Sequence, residues 1–308
     1  MNPYWDSGFF EFFQIFFCRL FERSTPLASD EIQFLVLGLN AISCGLVAPF
    51  LVLKRMVMFA NSLSHTILFG ILSAYLLSSQ IFGAGWFDLS TLLIGALIAA
   101  LITAFCTEGL VRLFRLQEDA SIGLIFTSLF ALGILLSTLY ARDVHLGTEA
   151  VTGNVDALQR SDIVLSLQLL MVNLGVVALF YRPLQLICFD VGFARSLGVR
   201  SSLFHFLLLF LAALTCVGAF RSMGVLLVLA FLIGPYLIAR NFCRTLPQLL
   251  FWCPVIGIGV ALLGVALARS LLSNTGWALS TGGIVVCTMG LVYIVSQTNL
   301  FTWRRKIC

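Results

Sequence analysis

Lysine is almost missing from this chain of 308 residues: Lys54 and Lys306 are the only two among eighteen basic residues. A nucleotide-binding GxxxxGK[ST] loop needs a lysine beside a glycine-rich turn, so the chain does not bind ATP in that way. Acidic residues are missing from long stretches, with none between Glu31 and Asp88 and none after Asp190. Proton-driven carriers place carboxylates inside the bundle, and here the interior offers few. Glu108 falls within an apolar run, but four residues before Arg112, the spacing of a helix-end ion pair. No nucleophile–base pair occurs in an apolar run, which argues against a membrane enzyme. The nine cysteines lack CxxC spacing, and Cys44, Cys106, Cys216, Cys253 and Cys287 lie in apolar runs as small hydrophobes. No cleavable leader is expected, because the N-terminus carries Asp6 and Glu11 rather than a basic stretch.

What is present is apolar. Hydrophobic residues make up 60% of the chain and charged residues 10%, with a mean hydropathy of +1.04. That composition implies an all-α, polytopic integral membrane bundle. The links are too long and the alternation too weak for a barrel. Nine runs are long enough to be spans: 32–53, 56–78, 89–111, 121–140, 163–181, 203–220, 223–239, 248–268 and 279–297. The seventh is short, and Arg221–Ser222 is its expected link to the sixth, as a tight hairpin or a broken helix. Gly234-Pro235 is expected to kink it, since proline removes a ladder bond. Phe9–Phe21 is too short to span and reads as an amphipathic segment in the interface. The expected organisation is an N-terminal interfacial segment over 1–31, a membrane domain over 32–298 and a basic tail over 299–308.

Lysine and arginine mark the topology. Twelve fall in loops on one side of the nine runs, among them Lys54, Arg55, Arg195 and Arg305, against four on the other, Arg142, Arg160, Arg221 and Arg269. The C-terminus is therefore expected in the cytoplasm, and the second run enters the membrane from the cytoplasm at Lys54-Arg55. The net charge of +4 reflects this topology and implies no nucleic acid partner.

The most informative residue is His65. It lies about 13 Å into a helix begun at Met56, close to the middle of a hydrocarbon core about 30 Å thick. Asn61 stands four residues earlier on the same helical face, and Ser64 adjoins it. A polar, metal-competent ring at that depth either lines a pathway or bonds to a neighbouring helix. In the cytoplasmic stretch Arg182–Ser202, Asp190 can cap a short helix over 192–197 that Gly198 ends. This is either a docking element for a cytoplasmic partner or an ordinary capped loop. The outer loop 141–162, with Arg142, Asp143, His145, Glu149, Asp156, Arg160 and Asp162, either meets an external donor protein or is solvated. Glu118-Asp119 reads as an acidic helix start. His205 is expected in a loop-facing structural role.

These residues occur in an order that resembles the membrane permeases of bacterial ABC importers for manganese, zinc and iron. The similarity covers about Ile32 to Ser296. Arg55-Met56 with Ser64-His65 and Gly70 looks like the family's second-helix signature. Glu118 to Gly123 with Ala131-Leu132-Gly133, and then Gly153-Asn154, are similar to its next patterns. Phe189-Asp190, Ala194-Arg195 and Leu197-Gly198 look like its cytoplasmic coupling loop. Gly224 to Val228 with Pro235 and Ala239, and Thr281-Gly282-Gly283, resemble its later helices. The resemblance implies a type II importer-like permease of about nine spans in the bacterial inner membrane. It implies a cytoplasmic ATP-binding subunit docked on residues 182–202, around Asp190, Ala194, Arg195, Leu197 and Gly198. It also implies an external solute-binding protein and a second permease subunit, identical or not. No cofactor is bound permanently; the divalent metal is cargo.

The family usually has Gly-Asp where this chain has Ala60-Asn61, and Pro in place of Phe69. Asn61 keeps an oxygen acceptor and loses the charge, so a neutral Asn61–His65 pair should hold a divalent ion weakly, or this subunit pairs with one that retains the acid. Imidazole suits manganese, iron or zinc, and an amide oxygen favours the harder ions. The competing readings are a self-powered secondary carrier, an ABC permease for a metal chelate or vitamin, and a scaffold that does not transport.

Overall fold

The structure, a computed structural model, describes Tyr4 and residues 9–21, 28–82, 89–140, 155–276 and 279–305. Among these residues the regular elements are all helical. In chain order they are α1 (Phe9–Phe21), α2 (Ser29–Leu53), α3 (Val57–Phe82), α4 (Leu89–Leu113), α5 (Glu118–Tyr140) and a 3-10 turn (Val155–Ala157). Then come α6 (Arg160–Leu179), α7 (Tyr181–Phe189), α8 (Val191–Ser196), α9 (Ser201–Met223), α10 (Val225–Arg240), α11 (Leu246–Thr275) and α12 (Thr281–Arg305).

The nine apolar runs each become one helix. Eight are long and apolar enough to cross a membrane. The seventh, α10, has 16 residues, or about 24 Å of helix. Several helices outrun the apolar windows, most clearly α11, because a helix ladder continues through polar residues at the membrane surface while hydropathy does not. One link needs correction. Arg221 and Ser222 are inside α9, and the break falls at Gly224, with φ +75 and ψ 165. That backbone region is open essentially to glycine alone, whereas arginine and serine continue a helix without strain. Within α10 the helix runs through Pro235, and a side chain at Gly234 would overlap the Met289 thioether of α12.

The chain forms two compact units. The first holds Met1–Pro49, Asn154–Gly175 and Ser222–Cys308; the second holds Phe50–Gly153 and Val176–Arg221. In the first, α10, α11 and α12 pack on one another and α1 packs on α11. Tyr4 donates to Glu31 at 2.9 Å, Arg19 pairs with Glu31 at 2.6 Å, and the Phe16 ring meets Phe34 edge-on. Burial and the Glu31 bond push the Tyr4 hydroxyl pKa up. In the second unit α3 packs between α4 and α5. Gly70 and Gly95 let α3 and α4 meet backbone to backbone, since a Cβ at Gly70 would lie 2.7 Å from the Gly95 carbonyl oxygen. Small residues at such crossings are how apolar helices associate without a hydrophobic drive from water.

Candidate metal pathway and coupling face

Asn61 and His65 project from one face of α3, as their spacing requires, and differ from their neighbours in exposure. Asn61 is exposed and His65 half-buried, while Ala60, Ser62, Leu63 and Ser64 are buried. The His65 ring rests against two rings of α5, Phe126 at 5.0 Å and Phe130 at 5.3 Å between centroids. These phenylalanines are four residues apart, so one face of α5 supplies both. They screen one side of the imidazole with carbon. Sequence reading missed them, although two aromatics at helical spacing in the adjoining span were the available signal. Ser64 does not join the pair: it is buried, and its hydroxyl donates to the Asn61 carbonyl oxygen at 2.5 Å. A serine one turn along a helix satisfies itself this way when no outside partner is offered.

The segment over residues 182–202 folds locally as its sequence dictates. Asp190 is extended (φ −146, ψ 106) and its carboxylate accepts from the Phe193 N–H at 3.0 Å, which caps α8. Gly198, at φ +79, turns the chain out of the helix, with the Val199 N–H on the Ala194 carbonyl. Arg195 donates to the Ser201 hydroxyl at 3.0 Å. Ala194 is buried beneath, while Phe189, Phe193 and Leu197 are exposed at 65%, 52% and 58%. These three exposed apolar side chains fall at the end of α7, within α8 and just past its end. Burial pushes the Cys188 thiol up to about 11, so it stays protonated near neutral pH.

Three further polar sites stand out among the described residues. Glu108 pairs with Arg112 at 2.6 Å, as its spacing predicts, and also with His205 Nε2 at 3.2 Å. His205 therefore ties α9 to α4 instead of facing a loop. In the first unit, Asn40 donates to the hydroxyls of Ser166 and Ser222 at 3.0 Å each, and Asn173 donates to Ser43 at 2.5 Å. All five residues are buried, Asn40 completely. A cavity of about 490 Å³ opens where α2 and α12 begin and α11 nears its end. Its lining includes the Asp30–Arg269 ion pair at 2.8 Å and Asp156, which accepts from Thr281 at 2.5 Å. His145, Gly153-Asn154 and the rest of 141–154 lie outside the described residues. No group of three or more His, Cys, Asp or Glu is placed to hold a metal among the described residues.

Residues 32–299 match the family described as the ABC 3 transport family. The chain belongs to that family. The resemblance read from the motifs is thereby borne out. Over 307 residues the chain is 39% identical to a probable metal transport system membrane protein of Chlamydia muridarum, covering 99% of this chain and 96% of the relative. It is 34% identical over 228 residues, 74% of each chain, to the manganese transport system membrane protein MntC of Halalkalibacterium halodurans. A solved structure of PsaBC from Streptococcus pneumoniae in complex with Fab superposes with a TM-score of 0.70 at 24% identity, over 86% of this chain and 89% of that one. This last likeness supports the all-helical permease fold. The match starts at residue 32, so α1 stands before the stretch that defines the family.

Proposed function

We propose that this chain is the membrane-spanning subunit of an ATP-binding-cassette importer that carries a divalent transition metal ion, manganese, zinc or iron, into the cytoplasm of a bacterial cell. Family membership over 32–299 and a polar, ligand-bearing face on α3 together support the reading. Relatives named for metal and manganese transport point to the same cargo. His65 and Asn61 act as transient ligands. With no negative charge, the pair binds weakly, which suits passage more than storage.

The chain lacks a nucleotide-binding loop, so ATP hydrolysis belongs to a separate cytoplasmic subunit. That subunit docks on residues 182–202, where Phe189, Phe193 and Leu197 offer exposed apolar side chains at a capped, rigid helix. Asp190 and Gly198 hold the helix ends, Ala194 seats it, and Arg195 ties it to α9. An external solute-binding protein delivers the metal at the outer end, and a second permease subunit completes the pathway. The C-terminus lies in the cytoplasm, the membrane domain spans 32–298, and α1 belongs to an interfacial segment.

Reconstitution in vesicles with the ATP-binding subunit, the external solute-binding protein and the second permease subunit tests the proposal. Metal should accumulate only with ATP, and His65→Ala should cut accumulation at least about tenfold while ATP is still hydrolysed. Uptake without ATP would instead identify a secondary carrier. Neither flux nor stimulated hydrolysis would identify a scaffold.

A further inference from the structure

The stripe that carries Asn61 and His65 continues one turn toward the start of α3. Met58 lies three residues before Asn61 and seven before His65. Seven residues are nearly two turns, so Met58 and His65 stand almost in line, about 10 Å apart along the axis, with Asn61 between them. Met58 is 58% exposed and Asn61 is exposed, whereas Phe59, Ala60, Ser62 and Leu63 between them are buried. The open face of the first turns of α3 is therefore this stripe.

An exposed methionine on an apolar helix would ordinarily face lipid. Here it shares its face with an exposed amide and a half-exposed imidazole. A carboxamide and an imidazole aligned on one face of a span are costly against hydrocarbon, so the face looks onto a polar space. Met58 meets that space at the end of α3 nearest the Lys54–Met56 turn, which the charge count places at the cytoplasm.

We propose that Met58 is a third metal contact, a sulfur station between Asn61 and the cytoplasmic mouth, and that it biases transport toward zinc and ferrous iron over manganese. The proposal rests on Asn61 and His65 lining the pathway. The chemistry of the set carries it. Imidazole nitrogen and thioether sulfur favour the softer, borderline ions, whereas manganese prefers carboxylate, carbonyl and water oxygen. The stripe offers one nitrogen, one sulfur and a single amide oxygen, with no carboxylate.

The test compares three ions in one preparation. The chain is reconstituted with its ATP-binding subunit, solute-binding protein and second permease subunit, and uptake of zinc, ferrous iron and manganese is measured separately for wild type, Met58→Leu and His65→Ala. Leucine keeps the volume of methionine and removes the sulfur. Zinc and iron uptake relative to manganese should fall about tenfold or more in Met58→Leu, the lower end of what loss of a supporting contact at a metal site costs. A ratio cancels any loss of folded protein. An unchanged ratio in Met58→Leu, with His65→Ala impaired, would overturn the role of Met58 and leave the pathway standing. Full flux in His65→Ala would overturn the pathway itself, and the Met58 proposal with it.

Discussion

Two sets of polar side chains sit inside the apolar helices, and their arrangements are opposite. In the first unit Asn40, Ser43, Ser166, Asn173 and Ser222 are buried and joined by hydrogen bonds between elements. In the second unit Asn61 is exposed and His65 is backed by two phenylalanines. The same residue type, asparagine within a span, fastens elements together in one place and presents an amide oxygen in the other. Polarity alone does not separate the two. Burial and the identity of the partner do.

The sharpest way to break this comparison is to place the same carboxylate at both asparagines. Asn40→Asp puts a charge into a fully buried cluster whose four other members are neutral, and an uncompensated buried charge costs about 3–5 kcal/mol. Thermal unfolding in detergent should show a large loss of stability, and the protein should be depleted from membranes. Normal stability in Asn40→Asp would mean that the cluster is hydrated or open. His65→Ala carries the next largest effect. Uptake should drop at least about tenfold, equivalent to about 1.4 kcal/mol of lost stabilisation in the passage step. Its stability should fall by only about 1 kcal/mol, from the lost contacts with Phe126 and Phe130.

The helices were legible because composition and run length decide them. Nine apolar runs, one of them short, became nine helices, and Asp190 with Gly198 marked the bounds of α8 through capping chemistry that works within a few residues. The Glu108–Arg112 pair was legible for the same local reason. The Asn40 cluster was not, because its members are up to 182 residues apart in sequence and only the packing of helices brings them together. The Ser64 bond to the Asn61 carbonyl was not legible, because a serine has two outlets, its own helix backbone or a neighbour, and sequence does not say which is nearer. The break at Gly224 was placed two residues early because hydropathy locates the edge of an apolar run, while the break follows the residue that tolerates positive φ. Phe126 and Phe130 were passed over because aromatic residues in a span are ordinary lipid or packing residues until something polar is seen against them.

Asn61→Asp turns the comparison around. Here the carboxylate enters an exposed position beside an imidazole, so stability should change by less than about 1 kcal/mol. The added charge should tighten the grip on a divalent ion by about tenfold, about 1.4 kcal/mol. Competition between metals during uptake measures this. The ion present in excess should block the others at a lower concentration than in wild type, and release should slow. If Asn61→Asp instead destabilised the protein as much as Asn40→Asp, the exposed face of α3 would be a packing surface.

The smallest effect comes from a third kind of polar group, one that is satisfied by backbone at an exposed helix start. Asp190→Ala removes the bond to the Phe193 N–H and should cost about 1 kcal/mol, the ordinary price of a lost N-cap. Water can replace that partner, which is why the penalty stays far below that of a charge in the Asn40 cluster. The same substitution loosens the element carrying Phe193 and Leu197. Stimulation of the ATP-binding subunit should therefore fall by more than stability does, and Asp190→Asn, which retains a capping oxygen, should restore most of both. Restoration of stability without restoration of stimulation would show that the charge of Asp190, beyond its capping, takes part in docking.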